Sequence, residues 1–221
     1  MSILLGIDGS GPLSDADYRR EMSNSFVSYI LRRSPVRSKR YLRGPWNDGL
    51  DTGMIAAEGL AFVRAASAGM RPPPPILLTG YSRGGAAVIA VAQQLKRRSV
   101  PVAAMMLFDA VDRAPTVETR AIPNNVAVVF HARRETGAFT RLSFSNCGTE
   151  SSRPTVYMQK YFDCTHGGVG GVHHRGGRPG EYIREGLPEH TPTFVTYAQD
   201  LAGARRAWAW AEPLLRLTSF L

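Results

Sequence analysis

The sequence predicts an α/β fold in which a largely parallel central sheet carries helices on both faces. Three observations predict it. Short apolar runs, among them Ile3–Ile7, Val102–Phe108 and Val126–Phe130, have the length and composition of buried strands. Segments with helical spacing separate them, and strands alternating with helices imply parallel pairing. Between two such segments lies Gly80-Tyr81-Ser82-Arg83-Gly84, a G-x-S-x-G turn in a strand–turn–helix context.

Taken in order, Ile3–Ile7 is the first strand and runs into a turn, Asp8-Gly9-Ser10-Gly11-Pro12. Residues 15 to 33 read as one helix with Phe26, Tyr29 and Ile30 on a face. A loop containing Tyr41 to Gly49 follows. From Thr52, Ile55, Gly59, Phe62, Val63 and Ala66 recur at helical spacing. Pro72 to Pro75 break that helix and lead stiffly into the strand Ile76-Leu77-Leu78. After the turn, Gly85 to Ala90 begin a small-residue helix that ends near Lys96-Arg97-Arg98, where cations suit the dipole. Val102–Phe108 then reads as a strand ending at Asp109, and Val126–Phe130 as the next, followed by His131 and a surface turn over Arg133-Arg134-Glu135. Alternation suggests strands in Leu142–Cys147 and Val156–Cys164. Gly167 to Gly180 reads as a loop at the site. A last helix over 194 to 211 places Tyr197, Leu201, Ala204, Trp208 and Ala211 on one face, with Pro213 as its limit. With no repeat or linker, residues 1–221 are expected to form one domain.

The 221 residues are 43% hydrophobic and 20% charged, ordinary values for a globular chain with a substantial core. No apolar run approaches the roughly 20 residues that cross a bilayer. The start lacks a basic segment and a long apolar one, so the expectation is a cytoplasmic protein without a signal peptide, a leaderless export route leaving no such mark. The net charge of +9 favours anions. No aromatic-interleaved or zinc-finger pattern accompanies the clusters at Arg32-Arg33, Arg37 to Arg40 and Lys96 to Arg98, so no specific nucleic acid is expected; most of these clusters read as solvated surface, with an anionic membrane surface as a candidate partner. Cys147 and Cys164 are expected to be free thiols.

The turn around Ser82 carries the chemistry. Its backbone bends sharply, which requires small neighbours, and its hydroxyl projects beside a helix N-terminus. A serine needs a base, and the base an acid. Asp109, ending the strand after the elbow helix, is the expected acid, and Asp112 the rival three residues on. Of five histidines (His131, His166, His173, His174, His190), His166 is the expected base because it sits where a strand meets a glycine-rich loop. His173 and His174 are the alternatives, and His131 reads as structural. The oxyanion donors are expected to be the amide of Arg83 and one from Gly9 or Ser10, with Gly44 to Asn47 as another source. Asp163, Cys164, His166, His173 and His174 match no zinc spacing, and no glycine run carries a G-K-[ST], so neither metal nor nucleotide is expected.

Together, Asp8-Gly9-Ser10, Gly80 to Gly85, Phe108-Asp109-Ala110-Val111 and His166 to Gly171 resemble, in order, motifs of the α/β-hydrolase family that includes type VI secretion phospholipase effectors. That family has a D-G-T/S turn, a G-F-S-R-G-A elbow, an F-D-T-V acid strand and an H-S-D-V-G-G histidine loop. His131 to Glu135 also resembles the family's H-A-x-A-x-D-E-R stretch, loosely. The resemblance implies Ser82 as nucleophile, Asp109 as acid and His166 as base, without a cofactor. Gly168 stands where the family has an acidic residue, and the effectors' long insertions are absent. The expected activity is hydrolysis of a carboxylic ester, a lipid or acyl ester, through an acyl-enzyme that acyl transfer would share. The alternative is a catalytically silent fold that binds an anionic partner.

Overall fold

The computed structural model describes residues 1–46, 50–112, 119–141, 143–185 and 192–221. Arg113, Leu142, His190 and the segment Asn47 to Gly49 lie outside the described residues. The elements in chain order are β1 (Ile3–Ile7), α1 (Asp15–Met22), α2 (Phe26–Arg33), β2 (Ser38–Leu42), α3 (Thr52–Ser67), β3 (Ile76–Tyr81), α4 (Arg83–Lys96), β4 (Val102–Phe108), β5 (Ala121–Ile122), β6 (Val126–Arg134), β7 (Glu150–Ser151), β8 (Val156–Phe162), α5 (His166–Gly170), β9 (Tyr182–Arg184), β10 (Pro192–Thr196) and α6 (Tyr197–Leu217).

Six strands form the central sheet in the order β2-β1-β3-β4-β6-β8, and every pairing in it is parallel. This is the expected α/β-hydrolase-like sheet. Its two faces are dry for different reasons. On one, Ala56 and Val63 of α3 and the alanine-rich face of α4 pack against Leu5, Ile7, Leu78 and Met105. On the other, Tyr18, Val27, Ile30, Ala207, Ala211 and Leu215 from α1, α2 and α6 cover Leu4, Leu77, Met106 and Phe130. Because β1 neighbours β2 on one side and β3 on the other, the chain reverses direction across the sheet there. Loops after the adjacent strands part at such a point and leave a crevice at their carboxyl ends.

Several elements differ from the expectation. The helix of residues 15 to 33 is two, because Ser25 caps α2 through a hydrogen bond from the amide of Ser28 (3.0 Å) and its hydroxyl donates to the buried Asp8 carboxylate. A tertiary bond thus interrupts a continuous helical pattern. Residues 38 to 42, expected in a loop, are the edge strand β2; its basic residues face water and show no apolar alternation. β6 runs through Arg134, so His131, Arg133 and Arg134 are buried strand residues, not a surface turn. Ser143 to Cys147 make only an isolated bridge, Asn146 to Val111, where a strand was expected. The glycine-rich segment opens as the short helix α5. Finally, α6 continues past Pro213 to Leu217, and its buried face is Asp200, Gly203, Ala204, Ala207, Ala211 and Leu215. Trp208 packs on Phe26 and Tyr29 with ring centroids 5.1 and 4.9 Å apart, so α6 is docked on the sheet. Both cysteines are buried and free. Among the described residues, no helix is long and apolar enough to cross a membrane.

Candidate active site

Four strand ends build the site. Ser82 occupies the turn between β3 and α4 with φ +54° and ψ −129°, a conformation that a side chain rarely adopts. The surroundings hold it there: its amide donates to Phe108 O (3.1 Å), and its carbonyl accepts from Gly85 N (3.0 Å) and Val111 N (3.1 Å). Gly84 is required on close-approach grounds, since a methyl group there would run into the carbonyl oxygens of Ile7 and Asp8. The elbow expected from sequence is therefore built against β1, not merely by its own turn.

His166 Nε2 lies 2.9 Å from Ser82 Oγ, and His166 Nδ1 lies 2.6 Å from Asp109 Oδ2. Ser82, His166 and Asp109 are 6%, 6% and 1% exposed, so this relay is screened from bulk water. Asp109 follows β4 with φ +44°. Burial pushes its carboxyl up, but the hydrogen bonds and charges of His166 and Arg134 outweigh burial and hold it below the usual carboxylate range. His166 is the first residue of α5, whose cap is Thr165; its amide donates to Thr140 Oγ1 (3.0 Å), and the ring meets Phe144 edge-on with centroids 5.2 Å apart.

The rivals make other contacts. Asp112 accepts from Thr119 Oγ1 (3.0 Å). His174 turns Nδ1 toward Asp200 Oδ2 (3.4 Å), and His173 lies on the outer side with Arg20 and Glu21. His131 is fully buried, accepts at Nε2 from Ala110 N (3.1 Å) and approaches Gly148 O with Nδ1 (3.2 Å). Burial drives its pKa down to about 4, so it is a neutral structural ring.

The oxyanion side is corrected in one respect. The Gly9 amide donates to Asp8 Oδ1 (2.9 Å), which occupies its proton, and Ser10 is the residue of that turn that lines the cavity. The Arg83 side chain is buried and reaches back to Ser10 Oγ and Trp46 O, both at 3.0 Å, so it ties the elbow to the turn after β1. Asp8 itself is fully buried; burial raises its pKa to about 6 against the bonds from Ser25, Gly9 and Tyr41.

A cavity of about 440 Å³ opens over Ser82 and His166. Tyr81 and Phe144 give it apolar surface, while Ser10, Arg141, His174 and Glu185 give it polar groups. Arg141 Nε is ion-paired with Glu185 Oε2 at 3.0 Å. Sequence reasoning missed Arg134, Thr140, Glu185 and Asp200. A methyl group at Gly168 would collide with Asp200 Oδ1. Helix α6 thus brings a carboxylate against the histidine turn, where it accepts from Thr165 N and Thr165 Oγ1, each at 2.8 Å.

No protein-family model matches the sequence, and no match to a curated protein was found. Among solved structures, the chain is similar to human thioesterase 2, with 10% identity over 99% of this chain and 97% of that one and a TM-score of 0.46. It is similar also to a cutinase-like protein from Cryptococcus sp., with 13% identity over 99% and 95% and a TM-score of 0.42.

Proposed function

We propose that the chain is a serine hydrolase acting on carboxylic esters, thioesters being attacked by the same groups. One observation carries the reading: the continuous relay from Ser82 Oγ through both nitrogens of His166 to a charged, buried Asp109. Ser82 attacks the acyl carbonyl while His166 Nε2 accepts its proton, and Asp109 stabilises the resulting imidazolium. The amide of Arg83 at the start of α4 and the amide of Ser10 hold the oxyanion. His166 then protonates the leaving oxygen or sulfur. Water, deprotonated by the same imidazole, attacks the acyl-Ser82 ester, releases the acid and returns the proton to Ser82.

The size and lining of the cavity favour a compact acyl group carrying or adjoining polar atoms, since a volume near 440 Å³ lies at the low end for small-molecule sites. Lipid esters, expected from the sequence with neither acyl length nor headgroup fixed, belong in the same comparison as larger substrates. Turnover of a panel of short- and long-chain esters, thioesters and phospholipids by the full chain tests the reading. Ser82→Ala should lose on the order of 10⁶ in kcat on every substrate the protein cleaves, as in known triads. Retention of turnover within about tenfold would remove Ser82 from the reaction.

A further inference from the structure

We propose that Arg134 is a positioning residue of this site, one guanidinium that fixes the Asp109 carboxylate against His166 and at the same time pins the loop walling the cavity beside the imidazole. Arg134 Nη1 contacts Asp109 Oδ2 at 2.5 Å, the oxygen that His166 Nδ1 also uses, and the Arg134 amide donates to Oδ1 at 3.3 Å. The remaining donors turn the other way. Nε donates to Thr140 O (3.1 Å), and Nη2 to Arg141 O (3.3 Å) and Phe144 O (3.1 Å). Those residues reach the imidazole from outside the triad: Thr140 Oγ1 accepts from the His166 amide and donates to Glu185, and Phe144 packs on the ring. The Arg134 side chain is only 8% exposed, so its charge acts through little solvent.

This inference rests on the serine-hydrolase reading and goes beyond it. A buried cation beyond the triad acid does two separable things. Its charge keeps Asp109 ionised and answers part of the carboxylate's field at the imidazole. Its planar fork reaches carboxylate and carbonyls together, which a lysine ammonium on a flexible stem cannot do. Beside this region Glu185 and Arg141 pair with each other, and the buried Tyr81 and His131 feel the charge of Asp109. Arg133, adjacent in β6, points to the opposite face and bonds Gln159 Oε1 and Tyr161 OH.

Arg134→Gln and Arg134→Lys in the full chain separate the two effects. The measurements are kcat and KM for a p-nitrophenyl ester across pH, the rate of fluorophosphonate labelling, and the thermal unfolding midpoint. For Arg134→Gln, kcat should fall about 10- to 100-fold, the range expected for losing bonds to a charged group, and the acid limb of kcat/KM should move to higher pH. Arg134→Lys keeps the charge, so its acid limb should stay with wild type while KM rises, because the carbonyl bonds to the cavity wall are lost. Folded variants with wild-type kcat, KM and acid limb would overturn the proposal. If Arg134→Gln does not fold, Arg134→Lys decides: an unchanged limb with raised KM supports the proposal, and a shifted limb or an unchanged KM contradicts it. Wild-type protein that takes no fluorophosphonate label would instead sink the hydrolase reading itself.

Discussion

Asp8 and Asp109 end β1 and β4 on the same edge of one sheet, and both carboxylates are out of solvent. Their charge states are nevertheless driven apart. Asp8 is surrounded by neutral donors, Ser25, Tyr41 and the Gly9 amide, and burial wins, raising its pKa to about 6. Asp109 receives Arg134 and His166, and these outweigh burial. Depth alone therefore does not decide whether a strand-end aspartate can serve a triad; the partners do. Asp8 holds the turn that carries Ser10, while Asp109 holds Nδ1 of His166.

The largest expected contrast is in turnover. Asp109→Asn should cut kcat by roughly 10⁴, because the amide presents the wrong group to His166 Nδ1. Asp8→Asn, whose remaining oxygen still accepts from the Gly9 amide, should stay within about tenfold of wild type, as should Asp112→Asn. Steady-state rates on one ester rank the three. A larger loss at Asp112 than at Asp109 would transfer the acid role and break the comparison.

A smaller effect sharpens it through stability. Asp8 has a folded pKa raised toward 6, so its contribution is full below the unfolded carboxylate value near 4 and is lost as pH rises through about 6. His131 acts oppositely: its folded pKa is lowered to about 4, and its contribution is lost as pH falls from the unfolded value near 6.5 toward 4. Wild type therefore has two opposed slopes in this window. Asp8→Asn removes the opposing slope, so its stability should fall more steeply than wild type's between pH 6 and pH 4, by up to a few kcal/mol in total. Denaturant midpoints at several pH values measure this. A variant with the same slope as wild type would show that Asp8 does not titrate in that range.

The sequence made much of this geometry legible, and for local reasons. β1, β3, β4 and α3 announce themselves by apolar runs and helical spacing, and the order Ser82, Asp109, His166 follows from strand ends. Three features were hidden because they depend on contacts between distant segments. Arg133 and Arg134 look like a surface turn until β6 is seen to continue between β4 and β8, with Asp109 and the carbonyls of Thr140, Arg141 and Phe144 ready to receive Arg134. Ser23 to Ser25 interrupt a helical pattern only because Ser25 bonds Asp8 from another element. β2 is an edge strand whose exposed lysine and arginine carry no hydrophobic signal. Asp8 and Asp109 were both visible as strand-end aspartates. Their opposite charge states were not, since Ser25, Tyr41 and Arg134 set them from far along the chain.

The central claim is that Ser82 is a nucleophile activated by His166. Fluorophosphonate modification of the full chain, located by peptide mass spectrometry, tests it most directly. The expected result is one adduct on Ser82, absent in Ser82→Ala and slowed on the order of 10³-fold or more in His166→Ala, because base and nucleophile act as a unit. Folded wild-type protein without an adduct on Ser82, or a His166→Ala variant labelled at the wild-type rate, would contradict it.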